Sequence, residues 1–252
     1  MNEVVKCILF SIGISLIFTL VSQFLRVFLK HELNEEQRGF LSSIIGFVST
    51  LFAFVLGFLI VNLWTTYNGA ESIVQKEVNS LRGIYRLVSE LPDSEKVVQS
   101  IHSYLESLSH DEWPAMQQGH FSPKTDAFKD QLWHACIQKT LLPSSSPIIS
   151  GKILDSLMEF NNARRERIAL LESELHPLLV TALMITGGLT WIGFVILGSG
   201  RRRFLFFTDF VFSACIAINI YLLLALDKPF SGKGFTISDS EFVELAERVK
   251  AP

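Results

Sequence analysis

Residues 39–70 contain no charged side chain, and Glu71 is the first charge after them. The stretch reads GFLSSIIGFVSTLFAFVLGFLIVNLWTTYNGA. As a helix it rises roughly 45 Å at about 1.5 Å per residue, more than the ~30 Å hydrocarbon core of a bilayer. It has the length to cross a membrane and run on into water as the same helix. Its hydroxyl and aromatic residues are not scattered: Ser43, Phe47, Thr50, Phe54 and Phe58 recur at helical spacings of four, three, four and four, so they share one stripe. Such a stripe is either a packing seam or the lining of a narrow apolar pore that gates by dewetting or by aperture. The residues alone leave both open.

Three more charge-poor segments accompany it. The first span runs over about residues 4–29, ends in Arg26 and Lys30, and has no A-x-A-like cleavage site, so it reads as a retained helix. A short polar turn, 31–38, carries Asn34 followed by Glu35, Glu36 and Gln37, an N-cap with acid in the first turn. The third span opens at Pro177, a good first-turn residue, and reaches Leu197. After the hairpin GSGRRR the fourth covers 204–226, with Asp209 as its one ionisable residue, paired at the interface or placed on an ion pathway. Charges crowd between these segments in a chain that is 49% hydrophobic, the pattern of a polytopic membrane protein.

The middle of the chain is charged and amphipathic. Val74, Val78, Leu81, Tyr85 and Val88 form a heptad-like seam, with Gln75, Lys76, Glu77 and Arg82 off it. A seam continuing out of a spanning helix suggests a helical bundle on the membrane, built from one or several subunits. Pro92-Asp93-Ser94 stops that helix, and Val97, Ile101, Tyr104, Leu105 and Leu108 give the next buried face. Breaks are expected at Pro114 and Gly119, a helix over 125–141, a loop at 143–147, and a last helix over 151–175. No segment alternates with a strand period, so the fold class is all-α. The expected organisation is two spans in 1–67, an α-helical extramembrane domain in 68–175, two spans in 176–227, and a turn with a short helix in 228–252.

Several chemistries are disfavoured. A net charge of −3 with no basic run among aromatics argues against nucleic acid. Three unpatterned cysteines support neither a disulfide framework nor a zinc site. His110-Asp111-Glu112 are neighbours on a helix, point apart, and read as solvated surface. No nucleophile–base pair or phosphate loop is visible, so neither an enzyme nor a cofactor is expected. Arg164, Arg165 and Arg167 occupy more than one helix face; they pair with nearby acids or form an anion-attracting ring in a vestibule.

Four motifs in order carry a resemblance: the polar turn at 34–37, Phe54-x-Leu56-Gly57-Phe58 with Trp64 and Tyr67 at the exit, Asp111-Glu112-Trp113-Pro114, and Leu226-Asp227-Lys228-Pro229-Phe230-Ser231-Gly232. Together they resemble the bacterial bestrophin-like family and, more distantly, bestrophin ion channels. The resemblance implies a homopentamer in the bacterial inner membrane that passes small anions through an apolar neck at Thr50, Phe54 and Phe58. It also implies that Asp227, Pro229, Phe230 and Gly232 form an exit turn. The runner-up is a non-conducting scaffold or signalling module whose helical domain binds a partner. The sequence departs from bestrophins at the calcium clasp, where GKGFTISDSEF supplies only Asp239 and Glu241. Orientation pulls two ways: Lys30, Arg38 and Arg201 to Arg203 in the short loops favour a periplasmic domain, whereas the resemblance places it in the cytoplasm.

Overall fold

The structure, a computed structural model, describes residues 3–28, 33–141, 146–171, 175–231 and 235–249. Helices dominate them and no strand occurs among them. In chain order they are α1 (Glu3–Phe28), α2 (Glu35–Ser89), α3 (Glu95–Ser107), a π-helical turn (Leu108–Glu112), α4 (Trp113–Gln117), α5 (Pro123–Thr140), α6 (Pro147–Ala169), α7 (Pro177–Leu197), α8 (Arg202–Leu226) and α9 (Ser240–Arg248). α1, α2, α7 and α8 are long and apolar enough to cross a membrane. The chain divides into two compact units, Met1–Thr65 with Glu174–Asp227, and Thr66–Ser173 with Lys228–Pro252.

Proline and polar caps set the helix starts. Asn34 Oδ1 accepts from the Gln37 N–H (2.8 Å) and Gln37 Oε1 from the Asn34 N–H (3.2 Å), a reciprocal cap that begins α2 before its apolar stretch. α5, α6 and α7 each open on proline, whose missing N–H costs nothing in a first turn. That is why α6 begins at Pro147, inside the expected loop, rather than at Gly151. Of that loop, residues 143–145 lie outside the described residues.

In the first unit α1 turns Ser11, Ser15, Thr19 and Ser22 inward, all almost fully buried, and packs mainly on α8. The Ser15 and Thr19 hydroxyls donate to the carbonyls of Ser11 and Ser15, so these small side chains let the backbones come close with both donors satisfied. Glycine does the same for α7. A Cβ at Gly187 would sit 2.9 Å from the Phe52 ring, and one at Gly193 2.5 Å from Ile45. Near one end of the unit, Arg26 makes two bonds to Asp209 (2.5 and 2.7 Å) and a third to the Val195 carbonyl (3.1 Å), while Gln23 donates to Asp209 (2.9 Å). Asp209 is therefore paired across helices with the arginine that closes the first span, its charge matched at 1% exposure.

The second unit has a core of its own. Val74, Val78, Leu81 and Val88 of the seam are buried inside this chain in its own core, with Tyr85 half-buried against it, so the seam packs within one subunit rather than between several. The Trp113 N–H donates to the Leu108 carbonyl, five residues back, across the π-helical turn. That wider turn carries α3 into α4 without the break expected at Pro114, which occupies the first turn of α4 and has no donor to satisfy. The chain does reverse at Gly119, whose φ of +84° suits glycine.

Candidate pore face and buried charge cluster

α2 presents two contrasting faces over its apolar stretch. Phe52, Leu56, Leu59 and Leu63 are buried within the unit. Phe47, Phe54 and Phe58, at 66%, 73% and 57% exposure, lie on another face with Thr50 and Ser43, also exposed. At about 100° per residue, Phe54 and Phe58 stand roughly 160° from Leu56. The stripe is therefore free of packing by this chain. The Ser43 and Thr50 hydroxyls donate back to the carbonyls of Gly39 (3.1 Å) and Gly46 (2.9 Å), so both are satisfied without a partner across the stripe.

In the second unit, four ionised side chains from three segments converge. The Arg167 guanidinium, fully buried, donates to Glu77 Oε2 (2.7 Å), to Glu77 Oε1 (3.0 Å) and to Glu112 Oε1 (2.7 Å). Arg164 donates to Glu112 Oε2 (2.6 Å) and Asp126 (2.7 Å). The Tyr104 hydroxyl completes Glu77 at 2.6 Å. Two arginines thus meet two buried glutamates, and Asp126 at the edge supplies a further negative charge. Burial pushes the Tyr104 phenol well above its ordinary range, and Glu77 pushes it further. Burial alone would lower Arg167, but the pull of Glu77 and Glu112 outweighs it and holds the guanidinium charged.

The same arginine joins two sequence motifs. Its guanidinium lies 5.5 Å from the centre of the Trp113 ring and 5.9 Å from that of Phe242. Trp113 stands edge-on to Phe230 at 6.0 Å, and its indole N–H donates to the Ile237 carbonyl (3.3 Å). The Pro229 carbonyl accepts from the Ile237 N–H (2.9 Å), closing the loop that follows the last span. Of the predicted exit-turn residues, Pro229 and Phe230 are thus brought together in the second unit. Asp227 is half-buried at the end of α8, and Gly232 lies outside the described residues.

The three arginines do not share one environment. Arg164 and Arg167 are buried and paired with acids on other segments, whereas Arg165 is exposed. Their acidic partners escaped the sequence reading. Glu112, read as solvated surface, is fully buried, as is Glu77, read as off the seam; only His110 of that run is exposed, and Asp111 pairs with Lys124 (2.9 Å). Spacing held the missing signal. Ile101, Leu105, Leu108 and Glu112 step by four, three and four, and Leu157, Phe160, Arg164 and Arg167 by three, four and three. An acid and two bases on apolar stripes of separate helices ask for each other.

Residues 9–242 match the family described as Bestrophin-like domain. The chain belongs to this family. Crystal structures titled as a bacterial bestrophin homolog from Klebsiella pneumoniae share its fold: one aligns at a TM-score of 0.70 and 16% identity over 98% of this chain and 96% of that one. A point mutant of the same homolog aligns at 0.70 and 16% identity, over 98% and 99%. No curated protein matches the sequence. The bestrophin-like chain is thus a membrane protein, helical without strands and with four apolar helices among its described residues, and its fold is similar over nearly the whole length to that of the Klebsiella homolog.

Proposed function

We propose that this bestrophin-like chain forms a homopentameric, anion-selective channel in the bacterial inner membrane, with its neck built by Thr50, Phe54 and Phe58 of α2. One observation carries this reading. The hydroxyl–aromatic stripe is exposed in the single chain while another face of α2 carries the packing. A seam against neighbouring helices of the same chain would be buried. Family membership supports an axis lined by α2, where each stripe position becomes a ring of five side chains. Rings of phenylalanine offer an ion no hydrogen bonds, so a narrow passage between them dewets and resists conduction when closed. Vestibule charge falls to Arg165, because the charges of Arg164 and Arg167 are matched by buried acids. No catalytic step is assigned. Residues 68–175 form an extramembrane domain facing the cytoplasm.

The double variant Phe54→Ala/Phe58→Ala tests the neck in reconstituted liposomes. It is expected to keep the oligomer and raise anion flux. An oligomer that falls apart without passing ions makes the stripe a subunit seam, and an intact one that never conducts favours the scaffold reading. Orientation is read separately with a cysteine at exposed Gln138. A membrane-impermeant maleimide should label it in lysed cells and spare it in intact ones. Equal labelling in both would place the domain outside.

A further inference from the structure

At one end of the first unit, positive charge meets bare apolar surface. Arg26 of α1 bonds to the Val195 carbonyl and lies against Gly198, so the turn between α7 and α8 sits at the C-terminal end of α1. Arg201, Arg202 and Arg203 follow that turn, all exposed. Among the described residues, none of the three guanidinium groups has an ion pair or hydrogen bond. Asp209 is the one acid of α8, and Arg26 and Gln23 already occupy it. The first turn of α8 holds no acid, and the partial positive charge of a helix start adds to that of the arginines. A positive loop helps set topology during insertion, yet that leaves the three groups unmatched in the folded protein.

The surface beneath them is apolar. At about 100° per residue, Arg203, Phe204, Phe207, Val211 and Ile218 fall within an arc of roughly 100° on α8. The four apolar members are all exposed. Phe24 and Phe28 of α1, in mutual ring contact at 4.8 Å, are exposed at the same end. Arg203 thus heads an open apolar face on a spanning helix.

We infer that this face holds an anionic phospholipid, its phosphate on Arg203 with Arg201 and Arg202 close by, and an acyl chain along Phe207 and Val211. Charge complementarity selects the ligand. Phosphatidylcholine carries its own cation beside the phosphate and offers the arginines little net attraction, whereas phosphatidylglycerol carries an uncompensated negative charge. Guanidinium suits a phosphate because two parallel N–H groups meet two oxygens. The apolar stripe directly below gives an acyl chain a place that a soluble anion would leave bare.

The test puts a reporter on the face: the full chain with Phe207→Trp, an exposed position, in nanodiscs of phosphatidylcholine with a minor fraction of phosphatidylglycerol. Either lipid is brominated on its acyl chains in matched amounts, and quenching is taken as the difference from the unaltered protein. Brominated phosphatidylglycerol should be enriched beside the reporter. That enrichment should fall roughly fivefold in Arg203→Gln, the worth of one arginine near a membrane surface, and largely persist in Arg203→Lys. Equal quenching by the two lipids overturns the proposal, and this comparison needs no altered arginine, so a misfolded Arg203→Gln does not shield it. An enrichment unchanged in folded Arg203→Gln also overturns it, as does its loss when inorganic phosphate is added at constant ionic strength, which would make the ligand a soluble anion. Quenching by neither lipid would mean that another copy covers the face, and overturns it too.

Discussion

Arg167→Met removes one charge from the buried cluster and keeps most of the side chain's volume beside Trp113 and Phe242. The unaltered guanidinium makes three bonds to carboxylates, two to Glu77 and one to Glu112. After the change Glu77 keeps only the Tyr104 hydroxyl, and Glu112 keeps Arg164. A fully buried carboxylate stands uncompensated, which in comparable cases costs about 3–5 kcal/mol. At roughly 4 °C per kcal/mol for a unit of this size, the midpoint should fall by about 12–20 °C. The assay is thermal unfolding of purified protein in mild detergent, followed by circular dichroism at 222 nm. Adding Glu77→Gln removes the stranded charge and leaves Tyr104 an acceptor, so the double variant should recover about 2 kcal/mol over Arg167→Met. A loss under about 1 kcal/mol for the single variant, or strict additivity in the double, would refute the account of a mutually compensating cluster.

Glycine positions in the first unit should separate sharply: Gly193→Val drives a side chain into Ile45, whereas Gly13, with nothing within 4 Å, should accept alanine. Gel filtration in detergent should show the first aggregating or losing its oligomer and the second unchanged; equal behaviour would mean α7 does not need that close approach. The second unit should also weaken in alkali. Burial raises the Cys136 thiol from 9.0 to about 12, and Tyr104 is raised as well, so both stay protonated when folded after their unfolded counterparts begin to ionise. Their stabilising effect is complete below about pH 9 and declines above it, so the unfolding midpoint should drop between about pH 9 and 11. Iodoacetamide should leave Cys136 unmodified at pH 8 until the protein unfolds, as read by peptide mapping that separates it from Cys7 and Cys215; rapid modification of Cys136 in the folded protein would contradict its burial.

The spans were legible in the sequence because lipid demands a long, unbroken apolar run, and 39–70 can satisfy little else. The stripe at Phe54 and Phe58 was legible as a stripe, yet one chain's periodicity does not say which side of a helix its neighbours occupy. Exposure of those rings beside buried Phe52 and Leu56 supplied that. The charge cluster was hidden for a different reason. Glu77 sits one position from Val78 and Glu112 follows His110-Asp111, so local reading put the first off the seam and the second in water. Their partners are 90 and 52 residues away. The π-helical turn was equally hidden, since nothing local to Leu108–Glu112 announces a widened turn.

The second unit is interrupted in the chain by two membrane spans, and this dictates how it can be made. Glu77 and Glu112 leave the ribosome first, and at about 5–20 residues per second Glu112 waits roughly 3–10 s for Arg164. Until then both carboxylates lack the bases that let them be buried. Phe230 and Phe242, which close the core over Trp113, follow only after α7 and α8 have been synthesised. A nascent chain halted after α6 therefore holds a half-built second unit, with Trp113 lacking the two phenylalanines that pack on it. Completion of the second unit therefore waits on synthesis of the last span.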